Sequence, residues 1–149
     1  MSKTFTLELT QIENYQFEVR FDNPAMPSLR TDEPAPLGSD TGPNPSQLLV
    51  ASVANCLSAS LLFAMRKFKN EPGPIRTTAT ATLARNEANR LRITGVAATL
   101  QIALVRSDIH MAERILDQFE DFCVVTQSVR AAIPVTVRVL DRDGAVLKA

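Results

Sequence analysis

The sequence of 149 residues has few of the side chains that bind zinc through sulfur or nitrogen: two cysteines, Cys56 and Cys123, and one histidine, His110. The cysteines lie 67 positions apart and form no Cys-x-x-Cys pair. This leaves little for a zinc site of cysteine and histidine ligands. We therefore expect no metal and no cofactor, and we interpret His110 as a solvated residue in the first turn of a helix.

An excess of charge of either sign is also missing. Sixteen lysines and arginines balance sixteen aspartates and glutamates, and the basic residues form no run of five. Because net charge is what draws a protein toward nucleic acid or an anionic membrane surface, neither is expected as a partner.

The first ten residues lack the pattern of an export signal. They alternate between polar and apolar side chains, which is typical of a strand and not of a signal peptide. We expect a cytoplasmic protein. Since that compartment is reducing, the two cysteines are either reactive or merely buried, and a structural disulfide is disfavoured.

The length favours one domain over residues 1–149. Alternating apolar residues predict strands near residues 5–9, 15–21, 79–83, 91–104 and 135–139, and a change of phase at Gly95 is typical of a β-bulge. Apolar residues at helical spacing predict a second helix that begins near Asp108. The order ββ-α-ββ-α-β indicates an α+β fold.

The first helix is predicted from its start signals. Residues 23–45 hold six of the nine prolines, which predicts a long loop of the kind that often carries function, with Asp32 and Asp40 as turn formers. The helix then begins with Asn44 as N-cap and Pro45 in the first helical position. Gln47 is placed to bond back to the Asn44 amide.

Residues 48–65 of this helix carry no charge. An uncharged run of that length raises the question of a membrane span. Polar residues interrupt it, however, and a helix buried on nearly all sides of a protein core is favoured: Ser52, Asn55, Ser58, Ser60. One small sheet and one further helix do not cover such a helix on two sides, so we expect a second subunit to do so.

Two short motifs, each containing one of the cysteines, indicate a protein family when they are taken together. Gly42–Cys56 reads Gly-Pro-Asn-Pro-Ser-Gln, a leucine-rich run and a cysteine; Phe122–Ser128 reads Phe-Cys-Val-Val-Thr-Gln-Ser. Both resemble the cysteine motifs of the OsmC/Ohr family, the osmotically induced and organic hydroperoxide resistance proteins. Val124 stands where the family commonly has proline. The spacing of the motifs and the order of elements agree with the family over nearly the whole chain.

The resemblance implies an OsmC/Ohr-like fold with a long buried central helix, in an intertwined homodimer with active sites at the subunit interface. It further implies a thiol-dependent peroxidase that reduces organic hydroperoxides. Cys56 would be the peroxidatic thiol and Cys123 the resolving one. The reductant would be a dithiol, often a protein-bound lipoyl group. We expect Leu49, Val53, Phe63 and Phe119–Phe122 to line an apolar mouth for the substrate.

Two departures from the family bear on activity. Family peroxidases usually carry a glutamate ten residues before the first cysteine, where this chain has Ser46, and an arginine that holds the thiolate. Cys56 lies roughly 16 Å into its helix, so the helix dipole contributes little to a thiolate there. Arg30 in the long loop is the candidate cation, and Arg20 on a strand is a poorer one. The missing glutamate leaves an alternative open: an OsmC-like dimer that binds a small apolar ligand with little turnover.

Overall fold

The first three strands form an antiparallel sheet in the order β1-β2-β3. In the computed structural model, which describes residues 1–149, β1 is Leu7–Glu13, β2 is Gln16–Phe21 and β3 is Leu29–Thr31. The turn between β1 and β2 places Asn14 at φ 48°, and the Gln11 side chain donates to its carbonyl. The predicted hairpin is therefore confirmed.

The third strand lies inside the segment that the sequence predicts as a loop. In the antiparallel backbone register, Glu18 of β2 lies opposite Arg30 of β3. A three-residue strand among prolines is too short for alternation to reveal. The expectation that residues 23–45 form loop throughout is wrong at this point.

The long helix α1, Pro45–Lys67, begins as predicted. The Asn44 amide donates to Gln47 Oε1 at 2.9 Å, and the Gln47 amide donates to Asn44 Oδ1 at 2.9 Å. Each side chain thus satisfies a backbone donor that the helix end would leave without a partner. Arg66 and Lys67 close the helix where its dipole favours cations.

A second sheet has the order β4-β5-β6-β7, with bounds Arg76–Arg85, Leu91–Gln101, Val135–Leu140 and Val146–Lys148. Strands β5 and β6 are parallel and the other two pairs are antiparallel. Thr82 pairs with Gly95 and Leu83 with Ile93, so Thr94 is the extra residue of a bulge. The bulge predicted from the phase change at Gly95 is confirmed.

Two short helices connect β5 to β6: α2, Ala112–Gln118, and α3, Val124–Val129, with a 3-10 turn at Phe119–Phe122 between them. The prediction that the second helix begins near Asp108 is wrong. Asp108 ends a separate 3-10 turn, and Met111 at φ 58° precedes α2. That left-handed residue separates the two helical segments, and no periodicity in the sequence marks it.

The core is formed by one face of α1 against the second sheet and the short helices. It contains Val53, Leu57 and Leu61 from the helix, with Leu100, Val139 and Phe119, all fully or nearly fully buried. Each buried leucine contributes about 1.5–3 kcal/mol relative to exposure. Although α1 is long and apolar enough to span a membrane by length and composition, this face is that of a core helix.

The opposite face of α1 is exposed in the single chain: Ala51, Ser52, Asn55, Ala59, Phe63. The expectation of burial on nearly all sides therefore does not hold within one chain. The chain divides into two compact units, residues 1–48 and residues 49–149. That the whole chain acts as one domain stays a prediction.

Candidate thiol site

Cys56 lies on α1 at the border between its buried and exposed faces. Its helical neighbours Val53 and Leu57 are fully buried, whereas Asn55 and Ala59 are exposed. The thiol is half-buried and packs against the core. It is therefore reachable from the surface while it contacts apolar side chains.

Cys123 is fully buried in the link between the 3-10 turn and α3. Its amide donates to the Glu120 carbonyl, and its own carbonyl accepts from the Gln127 amide. The 3-10 turn before Cys123 and the helix after it thus both hold its backbone in place. The Cys123 Sγ donates to Thr126 Oγ1 at 2.9 Å, and Thr126 is also fully buried.

The two thiols are free, and Cys56 is near enough to Cys123 to affect its ionisation. Burial raises the pKa of Cys123, and the hydrogen bond with Cys56 raises it further, whereas Thr126 lowers it. Burial acts this way because the charged thiolate loses its hydration. Cys123 is consequently disposed to keep its proton.

Two exposed phenylalanines lie on the same segments as the cysteines. Phe63, two turns along α1 from Cys56, and Phe122, next to Cys123, have ring centroids 6.5 Å apart. Lys67 lies 6.0 Å above the Phe122 ring. Phe63 and Phe122 are more than half exposed, as an apolar mouth requires, but Val53 and Phe119 are fully buried core residues. The expectation that those two line the mouth is wrong.

A cluster of charges that the sequence does not reveal supports the Cys123 segment. Glu120, on the 3-10 turn, forms ion pairs with Arg130 after α3 and with Lys148 on β7. Burial opposes ionisation, but the bonds from Lys148 and Arg130 outweigh it and lower the pKa of Glu120. The two cations lie 10 and 28 residues from Glu120 in the chain, so no local pattern could have revealed the cluster.

The candidate cations Arg20 and Arg30 both belong to the first unit, whereas both cysteines belong to the second. Arg20 forms an ion pair with Glu18 at 2.8 Å. Arg30, on β3, is exposed and pairs with no carboxylate. Its guanidinium is therefore the one of the two that remains available to an anion.

The loop that follows Arg30 is built around the buried carboxylate of Asp32. It accepts from the amides of Glu33, Ser39 and Thr41 and from the Thr41 hydroxyl, at 2.8–3.1 Å. Burial raises its pKa, but these bonds outweigh burial and lower the pKa of Asp32 to about 2. Asp32 is thus more than the turn former that the sequence predicts, because one side chain organises the whole loop.

Two glycines allow this loop to close. A Cβ on Gly38 would overlap the Glu33 carbonyl and the Asp32 carboxylate, and one on Gly42 would overlap the Arg30 carbonyl. Gly42 begins the first cysteine motif, so close backbone approach explains its place there. Ser46 lies in the first turn of α1, half-buried, and His110 is exposed just before α2.

The sequence match over the middle of the chain shows the family. The family model for OsmC-like proteins matches residues 38–138, which is more than half of the chain and includes both cysteines. The chain belongs to the OsmC-like protein family. The resemblance read from the two motifs is thereby confirmed. No curated protein matches the sequence.

Solved structures share the fold of this OsmC-like chain. A putative organic hydroperoxide resistance protein from Vibrio cholerae, with captopril bound in one of its active sites, is 24% identical with a TM-score of 0.70; the match covers 98% of this chain and 96% of that one. The organic hydroperoxide resistance protein OhrB of Bacillus subtilis is 19% identical, with a TM-score of 0.66 and coverage of 91% and 98%.

An OsmC-like protein of unknown function from Vibrio cholerae is 14% identical, with a TM-score of 0.76 and coverage of 91% and 99%. At these identities the likeness carries the fold alone. It confirms the predicted α+β class of this OsmC-like chain, with two sheets and three helices.

Proposed function

We propose that this OsmC-like protein is a thiol-dependent peroxidase that reduces organic hydroperoxides. One observation carries the proposal: the fold brings together two free thiols that interact, of which Cys56 is half-exposed and Cys123 is buried. A peroxidatic sulfur must meet its substrate, whereas a resolving sulfur need only meet the first sulfur. Two structural neighbours whose names refer to organic hydroperoxide resistance support the same function.

The reaction runs in three balanced steps. The Cys56 thiolate attacks the terminal oxygen of the hydroperoxide, which breaks the O–O bond, gives a sulfenic acid and releases an alcohol once the alkoxide takes a proton. Cys123 then attacks the Cys56 sulfur, forms a disulfide and releases water. A dithiol reduces the disulfide by exchange and is itself oxidised to a disulfide. A lipoyl-type dithiol is the reductant class that we propose.

The substrate class follows from the surroundings of Cys56. Phe63, two turns along α1 from Cys56, and Phe122, adjacent to Cys123 in the chain, present exposed rings that contact each other. Contact with these rings favours an alkyl or aryl hydroperoxide by about 25 cal/mol per Å² of apolar surface removed from water. Hydrogen peroxide has no such surface, so the protein should prefer organic substrates.

Three further parts complete the proposal. Arg30 supplies the cation that holds the Cys56 thiolate, since its exposed guanidinium has no carboxylate partner. The working form is a homodimer in the cytoplasm. Ser46 offers no carboxylate at the position where family peroxidases usually have one, so we expect slow turnover.

The test is turnover with a small dithiol and an organic hydroperoxide such as tert-butyl hydroperoxide, compared with hydrogen peroxide. The parent should consume the organic substrate faster, and one equivalent without dithiol should give an intrachain Cys56–Cys123 disulfide, seen as the loss of two hydrogens by mass. Cys56→Ser should have no turnover. Cys123→Ser should consume about one equivalent and then stall with Cys56 over-oxidised.

Absence of both turnover and disulfide in the parent would exclude the peroxidase. The second candidate would then apply, an OsmC-like dimer that binds a small apolar ligand. Ser46 in place of the usual glutamate is the observation that favours it. Saturable binding of an apolar fluorescent probe, displaced when Phe63 is changed to Ala, would support that function.

A further inference from the structure

The hydroxyl of Thr126 lies within hydrogen-bonding distance of the buried Cys123 thiol. Cys123 Sγ and Thr126 Oγ1 are 2.9 Å apart, and both residues are fully buried. The charged groups of this region, Glu120, Arg130 and Lys148, bond to one another and not to the sulfur. Apart from Cys56, Thr126 is therefore the only side chain that hydrogen-bonds this thiol.

The single S–H hydrogen of Cys123 has two acceptors, Cys56 Sγ and Thr126 Oγ1. When Cys56 is a thiolate, a bond to Cys56 stabilises that charge. When Cys56 has become a sulfenic acid, Cys123 must present a lone pair to the same sulfur. Rotation of the S–H toward Thr126 directs a lone pair of Sγ at Cys56.

Thr126 can also act after that rotation. A hydroxyl accepts one hydrogen bond and donates another as it turns. The Thr126 hydroxyl makes no other hydrogen bond in the structure. It is therefore free to donate to the Cys123 sulfur as negative charge develops there, in a buried setting where such a bond is strong.

We propose that Thr126 is a catalytic residue of disulfide formation between Cys56 and Cys123, first accepting the S–H of Cys123 and then donating to its sulfur. The inference rests on the proposed reaction. Cys123 gives up its S–H proton, and its sulfur forms the S–S bond as the S–O bond of the Cys56 sulfenic acid breaks. The hydroxide that leaves Cys56 takes up a proton, and water results. Thr126 ends the step with its own proton, so atoms and charge balance.

The step can be isolated from peroxide chemistry with diamide, a thiol oxidant that adds to one thiolate and is displaced as a hydrazine by a second thiol. Disulfide formation is followed by mass after acid quench, with either diamide or one equivalent of tert-butyl hydroperoxide. Thr126→Val removes the hydroxyl at nearly constant volume. Thr126→Ser keeps the hydroxyl.

Thr126→Val should form the disulfide at least about tenfold more slowly with both oxidants, a change that corresponds to about 1.4 kcal/mol in the barrier. Disulfide formation should be slowed more than consumption of the first equivalent of hydroperoxide. The pH profile of disulfide formation should move to higher pH, since Thr126 lowers the pKa of Cys123. Thr126→Ser should restore the rate of disulfide formation to within about twofold of the parent and return its pH profile to that of the parent. The serine hydroxyl replaces the one hydrogen bond that Thr126→Val removes.

The matched control is Thr77→Val. It removes the hydroxyl that contacts Ser58 of α1 at 2.6 Å, away from sulfur, and should leave disulfide formation unchanged. A parent rate for Thr126→Val, or equal slowing by Thr126→Ser, would overturn the inference. A parent that forms the disulfide with diamide but not with hydroperoxide would refute the peroxidase alone. A parent that forms it with neither would overturn both.

Discussion

At the residue scale, the two arginines considered as partners of the thiolate, Arg20 and Arg30, are distinguished by their own contacts. Arg20 is paired with Glu18, and Arg30 faces solvent without a carboxylate. An arginine already held by a carboxylate offers less positive potential to a second anion. Two features fix the chain on the C-terminal side of Arg30. The Asp32 carboxylate accepts from the Thr41 amide, and Gly42 packs closely against the Arg30 carbonyl. Arg30 thus extends from ordered backbone.

We predict that Arg30→Ala slows alkylation of Cys56 by iodoacetamide near neutral pH, because less of the thiol is then ionised. The rate should approach that of the parent at alkaline pH, where the thiolate forms without help. Arg20→Ala is the matched control and should alkylate at the parent rate. Alkylation is measured by mass in the Cys123→Ser background. Equal rates for Arg30→Ala and the parent at all pH values would remove Arg30 from the site.

At the scale of elements, the segment from the 3-10 turn through α3 is short and depends on its surroundings. Six residues of helix are marginal without tertiary support. Glu120 supplies it, since it contacts Arg130 at one end of the segment and Lys148 on β7. Lys148 also donates to the Leu116 carbonyl, which connects β7 to α2.

Glu120→Gln should lower the free energy of unfolding by about 1–3 kcal/mol at neutral pH, because two partly buried cations lose their carboxylate. The folded pKa of Glu120 is lowered, so its contribution is present above the ordinary carboxyl value of 4.5 and is lost as pH falls below it. Urea unfolding at pH 7 and pH 4 should therefore show the difference between variant and parent shrinking in acid.

Glu71→Gln is the control for this experiment. It breaks an exposed ion pair with Arg66, where both side chains are more than half exposed, and should cost less than about 0.5 kcal/mol. Equal effects of the two substitutions, or a Glu120 effect that does not depend on pH, would contradict the role assigned to the cluster.

The elements differ in how far the local sequence predicts their structure. Asn44, Pro45 and Gln47 predict the start of α1 because their partners lie within one helical turn. Gly95 predicts a bulge through its effect on alternation. By contrast, β3 depends on pairing with β2, and the Glu120 cluster depends on residues brought together by the fold. In the site, the two cysteines were predictable from motifs, whereas Thr126 becomes evident only through its bond to buried sulfur.

At the scale of the whole molecule, each unit presents apolar surface that its own residues leave uncovered. In the first unit, Leu7 and Leu9 of β1 are about half exposed. In the second, the face of α1 that contains Ala59 and Phe63 is exposed, with Phe63 at 59%. Large apolar side chains exposed together on one face of an element are typical of subunit interfaces. The proposed homodimer would cover them.

We therefore predict that the protein sediments as a dimer of 16.3 kDa chains at low micromolar concentration. Its thermal unfolding should shift to higher temperature as protein concentration rises, because association stabilises the folded chain. Ala59→Arg, in the middle of the exposed face of α1, should weaken the dimer, since it buries an unpaired charge. Thr80→Arg, on an exposed position of β4, is the control and should not. A parent that sediments as a monomer, with an unfolding temperature independent of concentration, would refute the dimer and leave the α1 face to another partner.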